Sequence, residues 1–192
     1  LKVVMSGAAP LGADVAGAVA KRLGCVVIQG YGMTELSPLT HVVPRDNPKS
    51  GAVGISAPNN VTRIVDPVTG EDCPLDTEGE VWVKGDNIFG GYYNDPEATA
   101  AVLTDGWLRT GDMATTDDDG YLYLVDRAKD LIIVSGFNVF PAEVEEVLAT
   151  HPAVAEVAVV GAAHPLTGET VRAVVVVREG VPEPTDLRAF SE

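Results

Sequence analysis

The sequence predicts an α/β segment followed by a β-rich region and a small α+β module. Three observations lead there. Strand, helix and strand patterns follow one another in the first thirty residues; from about residue 50 short apolar runs alternate with Gly and Pro turns; the last sixty residues read strand, helix, strand, strand. With 192 residues and 46% hydrophobic side chains, the chain is long enough for a real core.

The elements follow in order. Lys2 to Met5 reads as a strand that ends in the turn Gly7, Pro10, Gly12. Val15, Val19 and Leu23 repeat at helical spacing over Asp14 to Leu23, and Gly24 stands where a helix stops. Cys25 to Gln29 is a short apolar strand, expected to open into a Gly-rich loop at "GYGMTE", residues 30–35. Strands are expected at Val61 to Val65, Glu80 to Lys84, Trp107 to Leu108 and Tyr121 to Val125, which suggests a small sheet or barrel. Asp117 to Gly120 reads as a hairpin turn rather than a calcium loop, because the ligand spacing is wrong. A strand at Leu131 to Val134 turns at Gly136, Pro141 opens a helix carrying Val144, Val147 and Leu148, and strands at Val154 to Val160 and Val171 to Val177 close the series. The expected division is 1–55 for the α/β part, 56–125 for the β-rich part, 126–130 for a hinge and 131–192 for the small C-terminal domain.

Composition excludes some partners. The 28 acidic against 13 basic residues give a formal charge of -15, which repels nucleic acid and anionic membrane surfaces. No apolar run reaches the ~20 residues of a membrane helix. Cys25 and Cys73 have no metal-ligand spacing, and none of His41, His151 and His164 has a ligand partner nearby. A cytoplasmic protein is expected. Ser6 and Ser37 lack the setting of a hydrolase nucleophile. The chain opens on a strand pattern without an initiator Met, which suggests a fragment.

The loop at 30–35 supplies the chemistry. Gly30 and Gly32 let a ligand approach the backbone, Tyr31 offers a flat ring, Thr34 a hydroxyl for a phosphate oxygen and Glu35 a hard oxygen for a magnesium ion. A nucleotide uses all of these. The plainer alternative is a loop in which Tyr31 packs and Glu35 caps a helix.

"SGAAPL", "GYGMTE", "GEVWVKGDNIFGGYYNDPEAT", "DGWLRTGD", "DRAKDLI" and "SGFNVFPAEVEEVL" occur in the order and spacing of the adenylate-forming superfamily, which this chain resembles from residue 1 to about 178. The likeness is greatest to bacterial long-chain fatty-acid-CoA ligases and coumarate-CoA ligases. It implies a truncated acetyl-CoA synthetase-like fold. It also implies a two-step reaction: a carboxylic acid, here a fatty acid by preference, and ATP form an acyl-adenylate, and coenzyme A then displaces AMP.

By that resemblance Gly7, Ala8, Ala9 and Pro10 would line the adenine pocket, while Gly30, Tyr31 and Gly32 would flank the base and acyl site. Thr34 would touch the phosphates and Glu35 would hold Mg2+. Asp112 of "TGD" would take the ribose diol, although the bare tripeptide also reads as an Asp capping a turn after Gly111, a reading that its position before "DRAKD" disfavours. Arg127 would face ribose or phosphate and Lys129 would be the hinge, where most such pentapeptides are surface turns. Gly136 would line the pantetheine tunnel or form a plain hairpin. The phosphate loop and the C-terminal catalytic Lys of the family have no counterpart here, so little activity is expected of this piece alone. An adenylation domain loading a carrier protein, and a non-catalytic nucleotide-binding remnant, are the rival readings. The oligomeric state stays open.

Overall fold

The computed structural model describes residues 1–7, 11–128, 130–135 and 137–180. The chain divides into two compact units, Leu1–Leu124 and Val125–Glu192.

The first unit begins with β1 (Val3–Ser6), α1 (Ala13–Leu23) and β2 (Val26–Tyr31), with β1 and β2 parallel. Gly24 ends α1 in the left-handed conformation at φ 60°, as its place after the last helical residue predicts. The helix presents a different face from the expected one. Val15 and Leu23 are 55% and 49% exposed, and the smaller Ala16 and Ala20 line a cavity of about 370 Å³ against Val26 and Val27 of β2.

β2 is longer than the apolar run suggests. It continues through Gly30 and Tyr31 because β3 (His41–Val42) pairs with it, Gly30 opposite Val42 and Tyr31 opposite His41, and β4 (Ile55–Ser56) completes this sheet. The expected loop therefore starts only at Gly32. Two-residue strands carry too little periodicity to be seen in sequence.

A second sheet is built from β5 (Asn60–Val65), β6 (Gly79–Gly85), β7 (Leu103–Thr104), β8 (Trp107–Thr116) and β9 (Leu122–Arg127), in the order β5-β6-β8-β7 with β9 also on β8. Between β6 and β7 lies α2 (Pro96–Val102), a short helix capped by the Asp95 side chain on the Ala98 amide at 2.9 Å. Alternation along β6 buries Val81 and Val83, and these pack with Leu36, Leu108, Ala114 and Leu122 in one core. The opposite face carries a stack of cations on indoles: Arg63 lies 5.8 Å from the Trp82 ring and 5.2 Å from Trp107, with Arg109 5.4 Å from Trp82 and Lys84 5.8 Å from Trp107. The acidic run forms a turn, as expected. Asp117 Oδ1 accepts from the amides of Asp119 and Tyr121, and Lys49 Nζ reaches Asp117 and Asp119 at 2.6 and 2.7 Å.

The second unit contains β10 (Ile132–Val134), β11 (Phe137–Val139), α3 (Pro141–Ala149) and the hairpin of β12 (Val154–His164) with β13 (Gly168–Val177), in sheet order β11-β10-β13-β12. Ile132, Leu148 and Val159 form its core. Asp126 Oδ2 accepts the Ala142 amide at 3.0 Å, at the positive end of α3 behind Pro141. The two closing strands are longer than their apolar runs and pair directly, His164 opposite Gly168.

Candidate active site

Three elements of the first unit carry the candidate residues, and a side-chain bond joins two of them. The end of β2 contributes Tyr31, the turn that follows contributes Thr34 and Glu35, and the middle of β8 contributes Asp112. The Tyr31 hydroxyl donates to Asp112 Oδ2 at 2.6 Å across 81 residues of sequence. Tyr31 is 6% exposed, with its ring tilted on His41 at a centroid distance of 6.0 Å. Pairing with β3 turns the ring inward, so little of its face is open to solvent: Tyr31 packs, as the plainer alternative has it, and its hydroxyl reaches Asp112.

Met33 is extended, Thr34–Leu36 is a single 3-10 turn, and Leu36 is fully buried, which anchors the turn. Thr34 is left on the surface and Glu35 half-buried beside it. Glu35 caps no helix; its Oε1 accepts the Tyr92 hydroxyl at 2.9 Å, and its backbone oxygen accepts the Phe89 amide at 2.9 Å. The bond to Glu35, with burial second, holds the Tyr92 hydroxyl above its ordinary pKa.

Gly32 is needed for space, and at Gly30 the nearest atom is the movable end of a side chain. A Cβ on Gly32 would run into the Pro38 carbonyl oxygen and the Leu39 Cα, and one on Gly30 would stand 2.6 Å from Met5 Cε. Asn87 closes the turn from the far side, its Nδ2 donating to the carbonyl oxygens of Leu36 at 2.6 Å and Leu39 at 3.2 Å.

Asp112 sits within a strand, not in a turn beyond one. The β6–β8 register shifts between Glu80 and Trp82, which face Met113 and Arg109, so Thr110, Gly111 and Asp112 bulge from the ladder. Gly111 takes φ 73°, which a side chain would resist. Glu80, 4% exposed, holds the bulge: Oε1 accepts the Gly111 amide at 3.2 Å, and Oε2 accepts Trp82 Nε1 at 2.9 Å and Arg109 Nε and Nη2 at 3.1 and 3.0 Å. Sequence reasoning passed over Glu80, Arg109, Asn87 and Tyr92. A carboxylate directly after a glycine in an otherwise apolar strand is the available signal for Glu80, since a buried acid needs donors.

His41 is 2% exposed, with Nε2 3.2 Å from Thr62 Oγ1, and burial lowers its pKa to about 4. It is a neutral core residue. Gly7 follows β1 and is exposed. Arg127 ends β9 in the second unit and is exposed, its amide donating to the Asp126 carboxylate at 2.7 Å. Ala8, Ala9, Pro10, Lys129 and Gly136 lie outside the described residues.

Among the described residues no group of three or more His, Cys, Asp or Glu side chains is arranged to hold a metal. One carboxylate with an exposed hydroxyl next to it nevertheless fits Mg2+, which takes most of its ligands from water and phosphate oxygens. Among the described residues no helix is long and apolar enough to cross a membrane.

Residues 1–93 match the family of the AMP-binding enzymes and residues 143–191 that of the AMP-binding enzyme C-terminal domain. The chain belongs to the adenylate-forming, AMP-binding enzymes. Among its relatives are a probable 4-coumarate-CoA ligase of Dictyostelium discoideum, 46% identical over 93% of this chain and 33% of its own length, and the long-chain-fatty-acid-CoA ligase of Yersinia pestis, 43% identical over 97% and 33%. ATP-bound MatB from Rhodopseudomonas palustris has a TM-score of 0.85 at 40% identity, covering 94% of this chain and 36% of that one. The o-succinylbenzoate CoA synthetase of Bacillus subtilis, in complex with its acyl-adenylate intermediate, has a TM-score of 0.85 at 35% identity, covering 94% and 37%. The chain spans about a third of the length of the curated relatives it matches.

Proposed function

We propose that this chain is part of an ATP-dependent acyl-CoA synthetase, which activates a carboxylic acid as its acyl-adenylate and passes the acyl group to coenzyme A. The observation that carries the reading is the 2.6 Å bond between Tyr31 and Asp112, with Thr34 and Glu35 on the turn that follows Tyr31. That bond joins the two motifs which, in this reading, face one nucleotide from opposite ends.

In the first step an acid oxygen attacks the α-phosphorus of ATP, and the bond to the bridging oxygen breaks as pyrophosphate leaves. Asp112 accepts from the ribose hydroxyls, its carboxylate oriented by Tyr31. Thr34 donates to a phosphate oxygen, and Glu35 would be the protein ligand of Mg2+. When bound, the ion offsets charge that develops on the leaving pyrophosphate. In the second step the coenzyme A thiolate attacks the acyl carbon and AMP departs. Gly7, Ala8, Ala9 and Pro10 at the adenine, Arg127 at ribose or phosphate and Gly136 at the pantetheine arm complete the proposed site. Residues 126–130, Lys129 among them, serve as the hinge between the steps.

A fatty acid is the proposed substrate, supported by the likeness to long-chain-fatty-acid-CoA ligases. Acid-dependent ATP-pyrophosphate exchange by the complete enzyme tests the reading. Glu35→Gln is expected to cut exchange severely and Asp112→Asn to raise the KM for ATP, while Lys129→Pro is expected to spare exchange more than thioester formation. Absence of exchange with every fatty or aryl acid would refute it.

A further inference from the structure

The segment "FGGYYNDPEAT", residues 89–99, lies between β6 and the end of α2, and the reaction assigns none of its side chains a task. Its fold suggests one. Asp95 caps α2, and Thr99 on the first turn of that helix donates to the Asp95 carbonyl oxygen at 2.7 Å and accepts the Tyr92 amide at 2.9 Å. Gly91 passes so close to Thr99, at φ 127°, that a Cβ there would stand 2.8 Å from Thr99 Cγ2. The backbone of Tyr92 is thereby pinned to the helix. Its ring is set by Phe89, edge-on with centroids 4.9 Å apart, and Phe89 is itself tied to Glu35 by its amide. The result of this bracket is a single directed contact, the Tyr92 hydroxyl on Glu35 Oε1 at 2.9 Å. The adjacent Tyr93 is 93% exposed and takes no part.

We infer that Tyr92 is a positioning residue for Glu35, holding one carboxylate oxygen so that the other is presented to the divalent cation that accompanies the nucleotide phosphates. The inference rests on the reading of Glu35 as the cation's protein ligand. A phenol suits the role because it donates one bond along a fixed direction and adds no charge that would repel the cation. The neighbouring hydroxyl-bearing ring supplies a matched control, since Tyr93→Phe removes the same atom from the same loop.

The test measures cation binding without turnover. Mn2+ is titrated into the complete enzyme with ATP and no acid substrate, and free Mn2+ is read by electron paramagnetic resonance. Tyr92→Phe is expected to weaken Mn2+ binding about fivefold, the order of one charge-assisted hydrogen bond at a half-exposed site. Tyr93→Phe is expected to leave it unchanged. In exchange assays Tyr92→Phe should raise the half-saturating Mg2+ concentration by a similar factor and recover near wild-type kcat at saturating Mg2+, and Thr99→Val, which frees the Tyr92 backbone, should shift it in the same direction by less. Equal Mn2+ binding by Tyr92→Phe and wild type overturns the inference. Glu35→Gln separates the two levels: if it weakens Mn2+ binding while Tyr92→Phe does not, only the bracket falls; if neither does, the cation reading of Glu35 falls with it.

Discussion

Glu80 offers the sharpest test of how the site is held. Truncation to Ala strips partners from Gly111 N–H and Trp82 Nε1–H and from the Arg109 guanidinium. Arg109 is 42% exposed in its side chain and recovers water, so its share is small. Each of the two remaining donors, left unpaired in a half-buried setting, costs toward the lower part of about 1–3 kcal/mol, and a total loss of about 3 kcal/mol is expected. Glu80→Gln keeps one acceptor oxygen. That oxygen is best spent on Trp82 and Arg109, which turns the amide nitrogen toward Gly111 N–H and removes only that bond, for about 1 kcal/mol. The assay is urea unfolding of the 192-residue chain, read as a shift in midpoint at constant m, with amide exchange at Gly111 followed in parallel. A Glu80→Ala midpoint equivalent to less than about 0.5 kcal/mol would refute the reasoning. So would unchanged Gly111 exchange in both variants, because the bulge would then stand without its buried acceptor.

Gly32→Ala forces a Cβ into backbone at Pro38 and Leu39 and is expected to destabilise the chain by about 1–3 kcal/mol, measured by the same titration. Tyr31→Phe removes the bond to Asp112 and is expected to raise the KM for ATP several-fold while changing the KM for acid much less; equal changes in both would count against Asp112 as a ribose ligand. His41 protonates at its ordinary 6.5 in the unfolded chain but only at about 4 in the fold. Its contribution is therefore fully present above pH 6.5 and declines as pH falls toward 4, by about 3 kcal/mol at the lower limit. Comparison of unfolding free energies across that range should show a shallower decline for His41→Gln than for wild type, and equal slopes would argue against a buried neutral imidazole.

Legibility in the sequence followed the length and contrast of each signal. α1 and α3 were visible because a helical repeat meets a Gly stop in one case and a Pro start in the other. β5 and β6 were visible because Val and Ile alternate between turns. β3, β4 and β7, each of two residues, were not, and the extension of β2 to Tyr31 went with them, because only pairing with β3 makes Gly30 and Tyr31 strand residues. At the site, Tyr31, Thr34, Glu35 and Asp112 were named from residue chemistry and resemblance. Glu80 and Tyr92 act on other protein groups rather than on a ligand, and such roles depend on contacts across 31 and 57 positions that no local pattern encodes. The bulge at Thr110 to Asp112 was hidden for a related reason: "TGD" spells a turn, and its place in a ten-residue strand is decided by the partner β6.

The stack of Arg63, Arg109 and Lys84 on Trp82 and Trp107 involves both tryptophans of the chain. Indole emission is thus a private optical label of one sheet face, silent about residues 125–192, which contain no tryptophan. Any spectral change on adding a nucleotide or a denaturant would be assigned to its unit without an engineered probe.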